Sequence, residues 1–443
     1  MKPVVCPWLL MHSMYYALIC YRSLSNDKEG GTIHMNLRRW ATSPLSTLFT
    51  GFLAVLVVIC VVYAPGEAFK ASGEGLAIWW RIVFPALLPF VVLSQMLLAS
   101  GFAHGLGSLL DPFTRRALGL PGSFGWVLPL GMTAGFPAAA EAAVTLYKQG
   151  KVTASEAERL TAAAHFCSPM LLVVVIGAGF MNRPEIGLLL LAVHWAAGLL
   201  AGITLHWVFP DRSSPAAPPS PAKAKTPAKP RVSGLRLALR RMEEARREDG
   251  RSFGKLLGDS VASGVQTLMI TGGYMLIFAV VIHVILLALP DHTFSVAVKS
   301  ALEVHLGSYA MSELAPSLPP ALAASLLGAA LGWSGLCAYL QVRAILGPAG
   351  IGERSFLLSR LLHAAYAYVL TLLLWKPFTR WLPGILPAFG DARSAPLGSD
   401  TPAATLPGWQ QAFGVMEWQL WMLTLLTIGF VAIALLWRRQ DEL

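Results

Sequence analysis

Gly131-Met132-Thr133-Ala134-Gly135-Phe136-Pro137-Ala138-Ala139-Ala140-Glu141 decides how this chain is read. It closes a run, residues 117–140, that contains no Asp, Glu, Lys or Arg. Glycine frees the backbone from the usual steric limits, and proline removes an N–H and clashes with the preceding turn. Gly135-Phe136-Pro137 therefore predicts a break in an apolar helix. A bilayer tolerates the backbone groups freed by such a break only inside protein or around a cavity. A second uncharged run, residues 314–342, is interrupted at Gly332-Trp333. Glu156 follows Gly135 by 21 residues, and Glu353 follows Gly332 by the same 21. Paired Gly/Pro-interrupted segments in corresponding halves point to the binding site of a transporter built from repeats.

Composition agrees. Of 443 residues, 55% are apolar and 13% charged, against about 25% charged in soluble proteins, and the mean hydropathy is +0.58. Runs 41–66, 82–103, 117–140, 260–290, 314–342 and 419–437 lack all four charged residue types; 160–182 and 186–210 add only histidine. Most of these reach the roughly 18 residues that span a bilayer. The fold class is an all-α polytopic membrane protein.

The net charge of +10 does not indicate nucleic acid. It is concentrated after Pro210, from Lys223 to Lys255, where a basic segment fixes the cytoplasmic side. Residues 213–230 are a Pro/Ala/Ser/Lys tract without apolar periodicity, and 235–248 read as a basic amphipathic helix suited to an anionic leaflet. The five cysteines show neither a CxxC pair nor disulfide spacing, and no metal, cofactor or catalytic dyad is expected; the chain does not read as an enzyme. The sequence divides into four segments: 1–40, a dispensable extension with Met35 as a natural start; 41–210, the first transmembrane half; 211–255, a basic cytoplasmic linker; and 256–443, the second half.

Charge bias sets the path. Residues 44–64 cross outward, and 76–100 return to Arg115 and Arg116. A full crossing by 124–146 would strand Lys148, Lys151 and Arg159 outside, so a re-entrant hairpin turning at Gly135 is expected. Residues 161–181 and 186–209 then cross and return. The second half repeats this with opposite polarity: 260–290 aligns with the 76–100 span, Gly264 to His283 overlying Gly75 to Ser94 without a gap. Residues 314–342 form the second re-entrant unit, and 357–379 and 420–437 complete the count, with 294–310 as a possible further span.

Trp79-Trp80-Arg81-Ile82-Val83-Phe84-Pro85-Ala86-Leu87-Leu88-Pro89-Phe90, Gly131 to Pro137 and Glu156-Ala157-Glu158-Arg159-Leu160 resemble the YlbJ-type (SpoVV) sporulation integral membrane proteins. So do Leu302-Glu303-Val304-His305-Leu306-Gly307 and the stretch Gly332 to Val342. The resemblance covers roughly residues 40–440 without the linker. It implies two inverted gate-type repeats related to the architecture of concentrative nucleoside transporters. It also implies a place in the outer forespore membrane and a small anionic solute, dipicolinic acid, as cargo. The chain departs from the family pattern at Arg81, at His305 and at His165-Phe166-Cys167-Ser168-Pro169.

Candidate solute contacts are Gly135, Phe136, Pro137 and Glu141 in the first half, with Ser168 beside Pro169, and Glu303, Gly332, Ser334, Tyr339 and Gln341 in the second. A half-helix N-terminus attracts an anion, an intramembrane carboxylate marks a pathway, and Tyr and Gln donate to a carboxylate or ring nitrogen. His165 and His363 are candidates for proton coupling. Arg81 follows two tryptophans, as a snorkelling residue does. Two other classes stay open: a non-transporting scaffold of the spore envelope that recruits partners through the basic linker, and a nucleoside-type transporter.

Overall fold

A computed structural model of the chain describes residues 61–120, 125–208, 234–288 and 294–381, together with Gly51, Val55 and 57–59. The predicted spans 41–66 and 420–437 and the extension 1–40 lie wholly or largely outside the described residues. The chain divides into two units after Ala68, and the second of them carries the fold core and the candidate site.

Every regular element described is helical. In chain order these are α1 (Pro65–Ile78), a π-helical turn (Trp79–Val83), α2 (Phe84–Ala99), α3 (Phe102–Ala117), α4 (Val127–Ala134), α5 (Phe136–Lys148), α6 (Ala154–Ala163), α7 (Leu171–Phe180, wound as a π-helix) and α8 (Pro184–Val208). The second half supplies α9 (Gly234–Asp249), α10 (Phe253–Ala288), α11 (Ser295–Leu302), α12 (Val304–Leu314), α13 (Pro320–Trp333), α14 (Gly335–Leu346) and α15 (Arg354–Trp381). Five of the described helical stretches are long and apolar enough to cross a membrane: Pro65–Ala99, Pro184–Val208, Phe253–Leu287, Pro320–Ala349 and Arg354–Arg380.

Three expectations need correction. Residues 161–181 do not form one span: α6 ends at Ala163, 165–168 are non-helical, and the apolar helix beyond them has only 10 residues. The second break is centred on Ser334 and Gly335, two residues beyond Gly332, because these two carry the positive φ angles of 70° and 81°. Residues 294–310 are not a span either, since α11 and α12 are short and pack on one another.

The two stretches that the sequence aligns, 75–94 and 264–283, pack on one another. A Cβ placed on Gly75 would lie 3.0 Å from the Ala279 Cβ, and one on Gly264 3.3 Å from Val92 and 3.6 Å from Leu88. In the gapless overlay of Gly75–Ser94 on Gly264–His283, Gly264 is the counterpart of Gly75 and Phe90 that of Ala279. Gly264 meets Leu88 and Val92, on either side of Phe90, so the glycine of each stretch faces the other stretch. Trp79 lies close to the centre of that exchange: its Nε1 donates to the Leu268 carbonyl at 3.2 Å, and Leu268 is its own counterpart. Small residues let the helices approach closely; Gly272 faces the Trp79 ring.

α8, α13 and α15 form the buried core, with Leu189, Val193, Ala197 and Ala367 at its centre. α6 starts with a reciprocal cap: the Thr153 hydroxyl accepts the Glu156 N–H at 3.2 Å, and the Glu156 carboxylate accepts the Thr153 N–H at 2.8 Å. Glu158 of the same helix accepts the Ser355 N–H at 2.6 Å, at the start of α15. The linker range predicted as 211–255 contains α9, which packs on α3 where Gly101 and Gly105 leave room for Met242.

Candidate functional site

The first break folds the chain back on itself. Gly135 has φ 91° and ψ 179°, a region that essentially only glycine occupies. Beyond it α5 returns along α4, so that a Cβ on Gly131 would lie 3.2 Å from the Ala139 Cβ. The second break differs. The Ser334–Gly335 bend directs α13 onto α15 and α14 onto α5, so it is an angle and not a hairpin.

The non-helical residues 165–168 lie between the breaks. His165 stacks on Phe136, ring centroids 4.7 Å apart, and its Nε2 lies 3.1 Å from Ser334 Oγ. Ser334 Oγ in turn donates to the Leu331 carbonyl at 3.3 Å, which leaves the imidazole Nε2–H to donate to the serine. One ring therefore joins the two breaks. The Cys167 N–H donates to His194 Nε2 at 2.9 Å.

Beside the first break lies a cavity of about 1940 Å³. Gly135, Phe136, Pro137 and Glu141 line it at the start of α5, Cys167 and Ser168 beside the break, and His305 from α12. The facing wall is a polar stripe on α10: Ser260, Ser263, Thr267 and Thr271, spaced three, four and four residues apart and hence on one helical face. Thr267 and Thr271 donate to the carbonyls of Ser263 and Thr267 at 2.9 and 3.0 Å. Gln95 of α2 donates to Ser263 Oγ at 3.0 Å and ties the two repeat helices together.

The rim is charged. Arg241, Glu244 and Glu248 of α9 line it, with Lys151 and Glu156. Arg251 donates to Asp249 at 2.6 Å and to Asp259 at 3.2 Å, and its hydrogen bonds hold the Asp249 carboxyl below the usual carboxylate range.

The predicted site residues separate into two groups. Gly135, Phe136, Pro137, Glu141 and Ser168 line the cavity. Glu303, Gly332, Ser334, Tyr339 and Gln341 do not, so the second-half candidates stand away from this cavity. Gln341 donates instead to Cys337 Sγ at 3.3 Å, and Tyr339 stacks on Phe356. Glu303, 1% exposed, caps α12 through Leu306 N–H at 2.7 Å and accepts from His305 Nδ1 at 2.8 Å. His363 is fully buried: its Nδ1 accepts from Arg360 at 3.1 Å and its Nε2–H donates to the His194 carbonyl at 2.9 Å. With both nitrogens engaged it is fixed as a neutral ring. Among the described residues no group of His, Cys, Asp and Glu could hold a metal ion.

Over 387 residues the chain is 32% identical to the sporulation integral membrane protein YlbJ of Bacillus subtilis, covering 83% of this chain and 91% of that protein. The chain belongs to the YlbJ family of sporulation integral membrane proteins. Residues 80–184 match the Gate family, described as nucleoside recognition. In this YlbJ-family chain the Gate region runs from the π-turn through the first break to the start of α8, and so carries all five cavity-lining candidates. No solved structure matches the chain.

Two residues placed at or beside the site were not among the sequence candidates. His305, noted in the sequence only as a departure from the family pattern, lines the cavity. Arg360 falls inside the predicted span 357–379, and a charge within a span is itself the signal that could have found it.

Proposed function

We propose that this protein carries a small anionic solute, dipicolinate, across the outer forespore membrane during sporulation. The observation that carries the reading is the cavity at the Gly135 hairpin, walled by a polar stripe on a helix otherwise apolar enough to span a membrane. The N-terminus of α5 borders that cavity, and a helix N-terminus favours an anion by its dipole and free N–H groups. Glu141, one turn further on, repels a dicarboxylate when ionised. Passage is therefore expected to follow protonation of Glu141, and flux falls as pH rises. The name of the Bacillus subtilis relative supports a membrane protein of sporulation and the Gate match a nucleoside-recognition domain; transport and cargo come from the family resemblance and the chemistry of the site.

Protein reconstituted in lipid vesicles tests this with labelled dipicolinate and, in parallel, labelled nucleosides. Uptake of dipicolinate above empty vesicles is expected, decreasing as pH rises. Glu141→Gln is expected to flatten that pH profile. Gly135→Ala has room for its methyl group, with neighbours no nearer than 3.8 Å, but forces a backbone conformation costing about 1–3 kcal/mol. A loss of flux of roughly tenfold or more is expected, because each 1.4 kcal/mol is about a factor of ten. Uptake of nucleosides alone would transfer the reading to a nucleoside carrier. Uptake of neither would favour an envelope scaffold.

A further inference from the structure

Arg360 is the largest fully buried side chain among the described residues, at 2% exposure, and it does not line the cavity. Its Nη1 donates to the His165 carbonyl at 3.0 Å and to the Gly332 carbonyl at 3.4 Å. Its Nη2 donates to the Ala162 carbonyl at 3.1 Å and to Ser359 Oγ at 3.2 Å. The Phe356 ring lies 5.6 Å from the guanidinium carbon. None of these partners is a carboxylate, and His363, which accepts the remaining Nη1 contact, is a neutral ring.

The three carbonyls have one origin. Ala162 is in the last turn of α6, His165 lies just past its end, and Gly332 is in the last turn of α13. The last carbonyls of a helix have no intrahelical partner and carry the negative end of its dipole. In carriers with broken helices, such ends and unwound carbonyls are where Na⁺ binds. Here a fixed side chain fills that position. A planar fork reaches several carbonyls from both halves at once, which a lysine ammonium cannot do with the same geometry.

We propose that Arg360 is the resident cation of the broken-helix ends: its guanidinium occupies the carbonyl cage that a coupling Na⁺ would otherwise take, and holds the end of α6 to the second break without a metal ion. Arg360 is a positioning residue, acting on the solute path through the 165–168 segment that presents Cys167 and Ser168 to the cavity. The proposal is independent of which solute is carried, and its test needs no flux measurement, so it can fail or hold separately from the transport reading.

The test uses purified full-length protein in lipid nanodiscs, comparing NaCl with choline chloride. Hydrogen exchange over residues 162–168 and 330–336 and the apparent Tm are expected to be the same in both salts for the wild type. Arg360→Ala is expected to exchange faster in both segments and to lose roughly 5 °C or more in apparent Tm. Methylguanidinium at tens of millimolar, or Na⁺ entering the vacated cage, is expected to recover protection, whereas urea or choline at equal concentration is not. Wild-type protection that depends on Na⁺ overturns the proposal. So does an Arg360→Ala variant that loses nothing, or one that no cation restores better than urea. Should that variant not fold, Arg360→Lys decides: it keeps the charge without the fork, so faster exchange in at least one of the two segments is expected, and wild-type exchange in both overturns the proposal.

Discussion

Replacing Gly131 with valine is expected to prevent the first hairpin from closing. A Cβ at this position would overlap the Ala164 carbonyl oxygen and lie 2.8 Å from the Ala164 carbonyl carbon. Both are backbone atoms at the end of α6, so no side-chain rotation relieves the overlap. Overpacking a filled core costs about 1–3 kcal/mol, and here the displaced group is the peptide that leads into His165. The loss should reach the upper end of that range and separate α4 and α5 from α6. Detergent-extracted variant protein should be largely aggregated on size exclusion, or protease-sensitive between α5 and α6. Gly273→Ala is the control, because a Cβ there meets nothing within 4 Å and it sits within the helix α10. A monodisperse, protease-resistant Gly131→Val protein would mean that the two helices do not need to touch at this point.

The second large effect is expected at Glu303. Its two carboxylate oxygens are divided between the Leu306 N–H and His305 Nδ1. The backbone on either side of it is the seat of the second break: a Cβ on Gly335 would meet Leu302 O at 3.1 Å and Glu303 Cα at 3.2 Å, and Trp333 Nε1 donates to the Ala301 carbonyl at 2.9 Å. Loss of the cap costs about 0.5–2 kcal/mol, and loss of a hydrogen bond to a charged group about 1.5–3 kcal/mol. Glu303→Ala should therefore be destabilised by about 3 kcal/mol, read as a lower apparent Tm and a looser Ser334 bend in hydrogen exchange. Glu303→Gln keeps one acceptor oxygen for the cap and should lose about half as much. Equal stability of all three proteins would reduce Glu303 to a bystander.

Much of this fold could be read directly from local chemistry. Gly135-Phe136-Pro137 forces a break wherever it stands, and Lys148 and Lys151 beyond it argue for a hairpin, which the packing of Gly131 on Ala139 displays. The repeat was legible because a glycine at the same place in each half leaves room for the other, Gly75 beneath Ala279 and Gly264 beneath Leu88 and Val92. The second break was placed two residues early because its turn residue is a serine: Ser334 enters the left-handed region at φ 70° without the glycine that normally signals it. The division of residues 161–181 was hidden for a related reason. Pro169 has no N–H for the His165 carbonyl and disfavours helical backbone at Ser168, but the groups that take up the freed His165 carbonyl and Cys167 N–H, Arg360 and His194, are distant in sequence. The site was half legible for the same cause. Residues adjacent to a break could be named from its sequence, but which of them face water depends on α10 and α12, whose registers against α5 are set by tertiary packing.

The helix between the halves has a consequence for how the polypeptide could be divided. α9 comes after the join between the halves in the chain, yet it rests on α3 of the first half, with Met242 over Gly101 and Gly105. A second fragment beginning just before Gly234 would thus carry its own docking handle for the first. Separate synthesis of the two parts should therefore still yield the joined molecule.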